Sequence, residues 1–225
     1  MIACLDFETT GIDPETCAPV SVAVVHSERG THTIALDMRI NPCQPIPDSA
    51  SKIHGIYAAD VADAKPWPDA AADVLDALDG AIAIVCHNAP YDVTILALAA
   101  KRIGRKVPDV PILCTLTLAR SAWWGRPDVG RIASRPSNFK LSEVAAELGV
   151  PLNDAHTAAA DALAVAHIVR PLRHICMARH GVKPDDLPAF VRAEGALHED
   201  RLAELFRREP ENRWARMADA IGGVA

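Results

Sequence analysis

The sequence predicts an α/β fold, with a mixed five-stranded sheet, helices on both faces and a C-terminal helical extension. The first 40 residues hold three apolar or alternating runs separated by polar turns, which is typical of an antiparallel meander. Two later apolar runs alternate with amphipathic helices, the order expected of a sheet covered by helices. From residue 181 onward the chain is rich in charge and in helix formers.

The strands are predicted from apolar and β-branched runs bounded by turn residues. They are residues 2–7, 20–26, 33–40, 81–86 and 112–114. The segment 41–48 contains three prolines and is predicted to be irregular.

The helices are predicted from apolar stripes and from their start and stop signals. They are residues 49–55, 67–79, 91–103, 115–122, 140–148 and 157–179. Pro68 and Asp69 favour the start of the second helix, and Asp154 is a candidate cap for the last. Pro171 is expected to kink or break that last helix.

Chain length and charge limit the organisation of the protein. The 225 residues predict one domain at residues 1–180 and an extension at residues 181–225. The formal net charge of −6 gives no overall basic field, so binding of a polyanion would need a local patch or bound cations.

Cysteine spacing and targeting signals bear on the compartment. The six cysteines are scattered without a CxxC pair, which favours a reducing cytosol, and Cys4, Cys86 and Cys114 are predicted core residues. No signal peptide and no run long enough to span a bilayer is recognised. We therefore expect a cytoplasmic protein without a membrane partner.

Two acidic residues interrupt the first strand. Strand side chains alternate between faces, so Asp6 and Glu8 point the same way, about 7 Å apart. Two acids on one face repel each other unless a positive charge lies between them. Gly11 follows and is expected to take a backbone conformation that other residues avoid. The alternative is a solvated strand end.

Three further polar residues occupy positions that a core does not favour. Asp92 lies in the first turn of a helix, where an acid commonly stabilises the dipole. Asp161 lies in an alanine-rich helix, and the alternative is that it is an ordinary solvent-exposed acid on that helix. His156 precedes that helix, where it is alternatively a surface or capping residue.

Together the four acids suggest a metal site. Four carboxylates on one sheet would carry a charge of about −4, which requires cations. Mg²⁺ and Mn²⁺ prefer oxygen ligands, and two such ions can stabilise a phosphoryl displacement.

Three segments carry a family resemblance. They are LDFETTG at 5–11, HNAPYD at 87–92 and HTAAAD at 156–161. Their order and spacing resemble the motifs of the DEDDh 3′–5′ exonucleases, which have a ribonuclease H-like fold and include the proofreading epsilon-type enzymes. The resemblance covers residues 1–175. Tyr91 departs from it, because the family more often has Phe there.

The resemblance implies a role for each polar residue of the motifs. Asp6, Glu8 and Asp161 would hold one metal ion, Asp6 would bridge to a second, and Asp92 would support the site through water. His156 would be the general base that takes a proton from the attacking water. The product would be a nucleoside 5′-monophosphate.

Substrate-binding residues are expected around these motifs. The candidates are Thr9, Thr10, Gly11, His54, Asn88, Trp123 and Trp124. The two tryptophans begin a loop, residues 123–138, that is longer than usual in the family and rich in arginine. Tryptophans stack on bases and arginines neutralise phosphates, so this loop is a candidate grip on a single strand near its 3′ end. The alternative is that the tryptophans pack in the core.

The function expected from the resemblance is metal-dependent 3′–5′ exonuclease activity on single-stranded DNA or RNA, in proofreading or repair. Alternatives are an oligoribonuclease or RNA-processing exonuclease, a phosphoesterase acting on a small nucleotide, and a non-catalytic polymerase-associated subunit. The extension at 181–225 could contact a DNA polymerase or form a homodimer.

Overall fold

The computed structural model describes residues 1–124, 136–152, 155–180 and 188–193. Besides a 3₁₀ helix at Ala58–Val61 and the helical residues 188–193, these contain five strands and six longer helices. The strands are β1 (Ile2–Thr9), β2 (Pro19–Glu28), β3 (Thr31–Arg39), β4 (Ile84–Cys86) and β5 (Ile112–Cys114). The helices are α1 (Asp48–His54), α2 (Trp67–Ala77), α3 (Ala89–Arg102), α4 (Thr115–Trp124), α5 (Leu141–Glu147) and α6 (Ala158–His180).

The strands form one mixed sheet in the order β3-β2-β1-β4-β5. The meander β1–β2–β3 is antiparallel, while β4 and β5 run parallel to β1. The predicted mixed five-stranded sheet is therefore confirmed.

Helices cover both faces of this sheet. On one face, α2 and α3 pack against residues of β1, β2 and β4 that include Leu5 and Val24. On the other, α4, α5 and α6 pack against Ile2, Cys4 and Val25. The predicted helices on both faces are confirmed, and Cys4, Cys86 and Cys114 are buried as expected.

The alternation of β1 decides where its acids point. Ala3, Leu5 and Phe7 belong to the α2–α3 cluster, whereas Ile2 and Cys4 belong to the α6 cluster. Because successive strand side chains alternate, the even-numbered Asp6 and Glu8 lie on the α6 side.

The expected break at Pro171 and the expected backbone conformation of Gly11 are wrong. Helix α6 continues through Pro171 as one element, so that proline does not break it. Gly11 has no positive φ, and a Cβ there would meet Cys17 only at an ordinary 3.8 Å. Asp154, the candidate cap, lies outside the described residues. Thr157 caps instead, because its Oγ1 accepts the Ala160 N–H.

The described part of the predicted extension is short. Residues 188–193 are helical, and Phe190 and Val191 are buried in the α6 cluster. Within the described residues, no helix is both long and apolar enough to cross a bilayer.

Candidate active site

Three carboxylates converge between β1 and α6. Oxygen atoms of Asp6, Glu8 and Asp161 all lie within 4.8 Å of one another. Asp6 and Glu8 come from alternate positions of β1, and Asp161 lies in the first turn of α6. The sheet's even-numbered face and the helix packed on it thus bring together residues 153 positions apart in the chain.

Asp92 joins the cluster from α3. It is 3% exposed, and its Oδ1 accepts the backbone N–H of Phe7 at 3.3 Å. Asn88 precedes the helix in a left-handed conformation, with φ of 74°, and Pro90 occupies the first turn. This turn directs the N-terminus of α3 toward Phe7, which lies between Asp6 and Glu8.

The carboxylates raise one another's pKa values. Burial, and then Asp92, Asp161 and Glu8, raise the pKa of Asp6 well above its ordinary value. Burial and Asp161 raise the pKa of Glu8 to about 7, against the lowering effect of Arg39. Burial also raises the pKa values of Asp92 and Asp161. The cluster therefore holds protons or cations at neutral pH.

His156 lies beside Asp161 at the start of α6. Its side chain is exposed and its backbone is left-handed, with φ of 70°. Its imidazole and its backbone both lower the pKa of Asp161, which places the histidine at the edge of the carboxylate cluster.

The donor set suits a hard divalent cation. Oδ1 of Asp161 is buried and has no hydrogen-bond partner among the described residues, so this oxygen is available as a ligand. Carboxylate oxygens are what Mg²⁺ and Mn²⁺ prefer, and a cation would offset the mutual repulsion. The residues present therefore fit a metal-binding acidic site.

Three of the predicted substrate residues lie at the end of β1. The Thr9 hydroxyl donates to the Gly11 carbonyl at 2.7 Å, and Thr10 Oγ1 accepts from Gln44 Nε2 at 2.7 Å. Tyr91 also donates to the Gly11 carbonyl. Since Thr9 and Thr10 are buried, the part of this turn that a substrate could reach is chiefly Gly11.

His54 and Asn88 border the same region. His54 is 6% exposed, and its Nδ1 accepts the N–H of Ile56. Burial lowers the pKa of His54, which favours the neutral form of this ring. Asn88 is exposed, and its side chain does not cap α3.

Sequence reasoning missed Arg39, a cation that acts electrostatically on the acid cluster. It ends β3, two strands from β1, in the register Glu8–Ser21–Arg39. It acts electrostatically on both Glu8 and His54. The antiparallel meander was predictable from the sequence. The strand register that places Arg39 level with Glu8 was not, because no pattern of residues in the sequence sets it.

The stacking role expected for Trp123 needs correction. Its ring is 8% exposed and packs edge-on against Phe139, with centroids 6.1 Å apart, so the core alternative holds for it. The side chain of Trp124 and residues 125–135 of the arginine-rich loop lie outside the described part of the chain.

The mixed sheet and its four acids define the class of the protein: an exonuclease domain with a ribonuclease H-like fold. The family model described as Exonuclease, RNase_T, matches residues 3–169, and the chain belongs to this family. The predicted family and fold are confirmed.

Two relatives and one solved structure illustrate the similarity. The 3′-5′ exonuclease DinG of Bacillus subtilis is 30% identical over 159 residues, covering 70% of this chain. A DNA polymerase III subunit epsilon-like protein of Rhodobacter capsulatus is 28% identical over 204 residues, covering 88%. E. coli exonuclease I in complex with a dT13 oligonucleotide is 18% identical, with a TM-score of 0.62 over 79% of this chain and 46% of its own. The chain spans only 16% and 27% of the lengths of the first two relatives.

Proposed function

We propose that this chain is a metal-dependent 3′–5′ exonuclease that releases nucleoside 5′-monophosphates from the 3′ end of single-stranded DNA or RNA. The observation that carries the proposal is the convergence of Asp6, Glu8 and Asp161 within 4.8 Å, with Asp92 buried beside them. A domain that only binds a partner has no need of such a repulsive cluster.

The proposal assigns each residue a role. Asp6, Glu8 and Asp161 would hold a divalent cation, and Asp6 would share a second, with Asp92 supporting it. Bound Mg²⁺ or Mn²⁺ supplies charge neutralisation for the attacking and leaving oxygens of the phosphodiester. His156, exposed at the edge of the cluster, would accept the proton of the attacking water.

The end of the substrate would lie over the turn after β1. Gly11 and Asn88 present reachable groups there, and Arg39 supplies a cation beside Glu8. The oligonucleotide bound by exonuclease I and the polymerase III names of the relatives support a single-stranded 3′ end as substrate and a DNA polymerase as a possible partner. Contact with a polymerase, or a homodimer, through residues 181–225 remains part of this proposal.

Replacing one carboxylate tests the function. Asp161→Ala and Asp6→Ala should reduce Mg²⁺-dependent release of 5′-monophosphates by at least about a thousandfold, because neither variant keeps the ligand set. The assay compares 5′-labelled single-stranded DNA, duplex DNA with a mismatched 3′ end, and short RNA. Asp63→Ala, at an exposed acid away from the cluster, is the matched control.

The pattern of products separates the alternatives. Shortening of the labelled strand from its 3′ end supports the exonuclease, whereas hydrolysis of a dinucleotide alone would indicate a phosphoesterase for small nucleotides. Full activity in Asp161→Ala, with circular dichroism showing a folded protein, would contradict the assignment.

A further inference from the structure

A cavity of about 470 Å³ lies at the opposite end of the sheet from the carboxylates. It is enclosed by the turn between β2 and β3, the start of β1 and the middle of α6. Because β1 rises about 3.3 Å per residue, the cavity at Ile2 is roughly 20 Å from Glu8. It is therefore separate from the proposed catalytic site.

The rim of this cavity is cationic. Arg29, Arg170 and Arg173 line it, with Glu28 as the single acid among its lining residues. Within the described parts of the chain, neither Arg29 nor Arg170 takes part in an ion pair. In a protein with a net charge of −6, three arginines around one cavity create a local site for an anion.

The turn that carries Arg29 is unusual. Arg29 and Gly30 both have positive φ, 51° and 86°, and form the two-residue connection between β2 and β3. Asn, Asp or Gly is favoured at the position of Arg29 in such turns. The guanidinium of Arg170 approaches the same turn, since its Nη1 lies 3.9 Å from where a Cβ at Gly30 would be. The turn geometry therefore does not explain why residue 29 is an arginine.

The remaining walls are mostly apolar. Ile2, Ile82, Ala166 and Val169 lie on them, between the sheet and α6. Pockets for small molecules commonly measure 300–1,000 Å³ and combine apolar walls with a few polar groups. This cavity has that size and that composition.

We propose that the cavity binds a small organic phosphate of nucleotide size. The phosphate would lie against Arg170 and Arg29, whose planar guanidinium groups can each form two hydrogen bonds with it. The apolar part of the ligand would lie on Ile82 and Val169. An apolar wall of this kind offers nothing to a bare phosphate, so the chemistry favours an organic phosphate over an inorganic one.

Calorimetry with adenosine 5′-monophosphate, in EDTA so that no cation occupies the acidic site, tests this proposal. We expect saturable binding with Kd of about 1 mM or lower, and weaker binding of adenosine and of inorganic phosphate. Arg170→Gln should weaken binding at least about tenfold. Arg29→Asn, which suits the left-handed turn, should weaken it similarly, while the exposed Arg102→Gln should leave it unchanged.

Three results would overturn the proposal: no saturation up to about 10 mM nucleotide, equal binding by Arg170→Gln and Arg102→Gln, or loss of binding in Asp161→Ala. Equally tight binding of inorganic phosphate would overturn the part assigned to the apolar wall. Nuclease activity, measured separately with Mg²⁺, should not change in Arg170→Gln. Failure of nucleotide binding therefore leaves the exonuclease assignment untouched.

Discussion

At the scale of single residues, the Tyr91 hydroxyl ties the helix that carries Asp92 to the turn after β1. It donates to the Gly11 carbonyl at 2.5 Å, and it also contacts Thr9 Oγ1 at 2.5 Å and Cys17 Sγ at 3.5 Å. Burial raises the pKa of Tyr91, so the hydroxyl remains a donor at any working pH. The departure from the more usual Phe therefore adds a polar link between two parts of the site.

Tyr91→Phe should destabilise the protein by about 1 kcal/mol, because a half-buried hydrogen-bonded network loses its donor. Since Gly11 is a candidate substrate residue, KM should rise more than kcat falls. Thermal unfolding and steady-state kinetics on a single-stranded oligonucleotide measure the two effects. Tyr57→Phe, at the exposed second tyrosine, is the control. Unchanged stability and KM would show that the hydroxyl does not position the turn.

Asp161→Asn should stabilise the metal-free protein while inactivating it. Asp161 raises the pKa values of both Asp6 and Glu8, and burial raises its own pKa, so removing its charge at pH 8 relieves repulsion and a desolvation cost. A gain of about 1 kcal/mol corresponds to a rise in Tm of about 2–4 °C, measured in EDTA. The exposed Asp63→Asn should leave Tm unchanged, and a lower Tm for Asp161→Asn would contradict this account.

The acids were predictable residue by residue, but their neighbours were not. Asp6 and Glu8 can be recognised in the sequence because they interrupt an apolar strand, and strand alternation alone places them on one face. Arg39 and the Tyr91 hydroxyl acquire their partners only through the packing of separate elements. For Trp123 the sequence left base stacking and core packing as alternatives, and only its packing on Phe139 decides for the core.

At the scale of elements, His87 joins the turn after β4 to two other parts of the chain. Its Nε2–H donates to the Phe139 carbonyl, and Nδ1 accepts from the Thr115 hydroxyl, both at 2.9 Å. Burial lowers the pKa of His87 to about 4, against the raising effect of the bond to the Phe139 carbonyl, so the ring is neutral near pH 7. An uncharged histidine thus connects the turn between β4 and α3, the helix that carries Asp92, to Thr115 and Phe139.

The free energy of unfolding should depend on pH through His87. Between pH 6.5 and about 4 the unfolded chain binds a proton that the folded protein excludes, so this contribution to stability falls as the pH falls. The loss should approach about 3 kcal/mol at pH 4 and should be absent above pH 6.5. Urea denaturation of wild type and His87→Gln measures it as the difference between the two pH profiles. Parallel profiles would exclude His87 as the source.

The sequence predicted which helices and strands exist better than it predicted whether a helix continues past a proline. Gly80, Gly104 and Gly149, which are sequence signals for a helix end, each follow a helix and have positive φ. Pro171 did not break α6, although a proline inside a helix costs about 3 kcal/mol. Ile168, Val169, Leu172 and Cys176 are all buried on either side of it, and this packing across the sheet outweighs the local cost. A sequence pattern shows the local conformational preference of a residue, but it does not show how much apolar surface the folded protein buries against that preference.

At the scale of the whole molecule, a divalent cation should stabilise the fold. At a cation concentration about 100 times Kd, linkage adds about 2.7 kcal/mol. We therefore expect Tm to rise by several degrees when Mn²⁺ or Mg²⁺ replaces EDTA at constant ionic strength. Asp6→Ala should show little of this rise, and an equal rise in that variant would place the ions elsewhere.

The overall architecture was accessible from the sequence, because three motifs and an alternating pattern specify a mixed sheet with its acids at one end. The arginine-lined cavity was not. Its walls come from residues near 30, 82 and 170, and no spacing in the chain links them before the turn is folded against α6.

Phe190 lies fully buried in the same cluster as Ile2 and Cys4, yet it comes 21 residues after the end of the matched family segment at residue 169. The hydrophobic interior is thus completed by a stretch that lies beyond the residues matched by the family model. A protein cut after His180 would leave an apolar hollow beside α6 open to water. Minimal versions of this domain should accordingly retain residues 188–193, whatever the rest of the tail does.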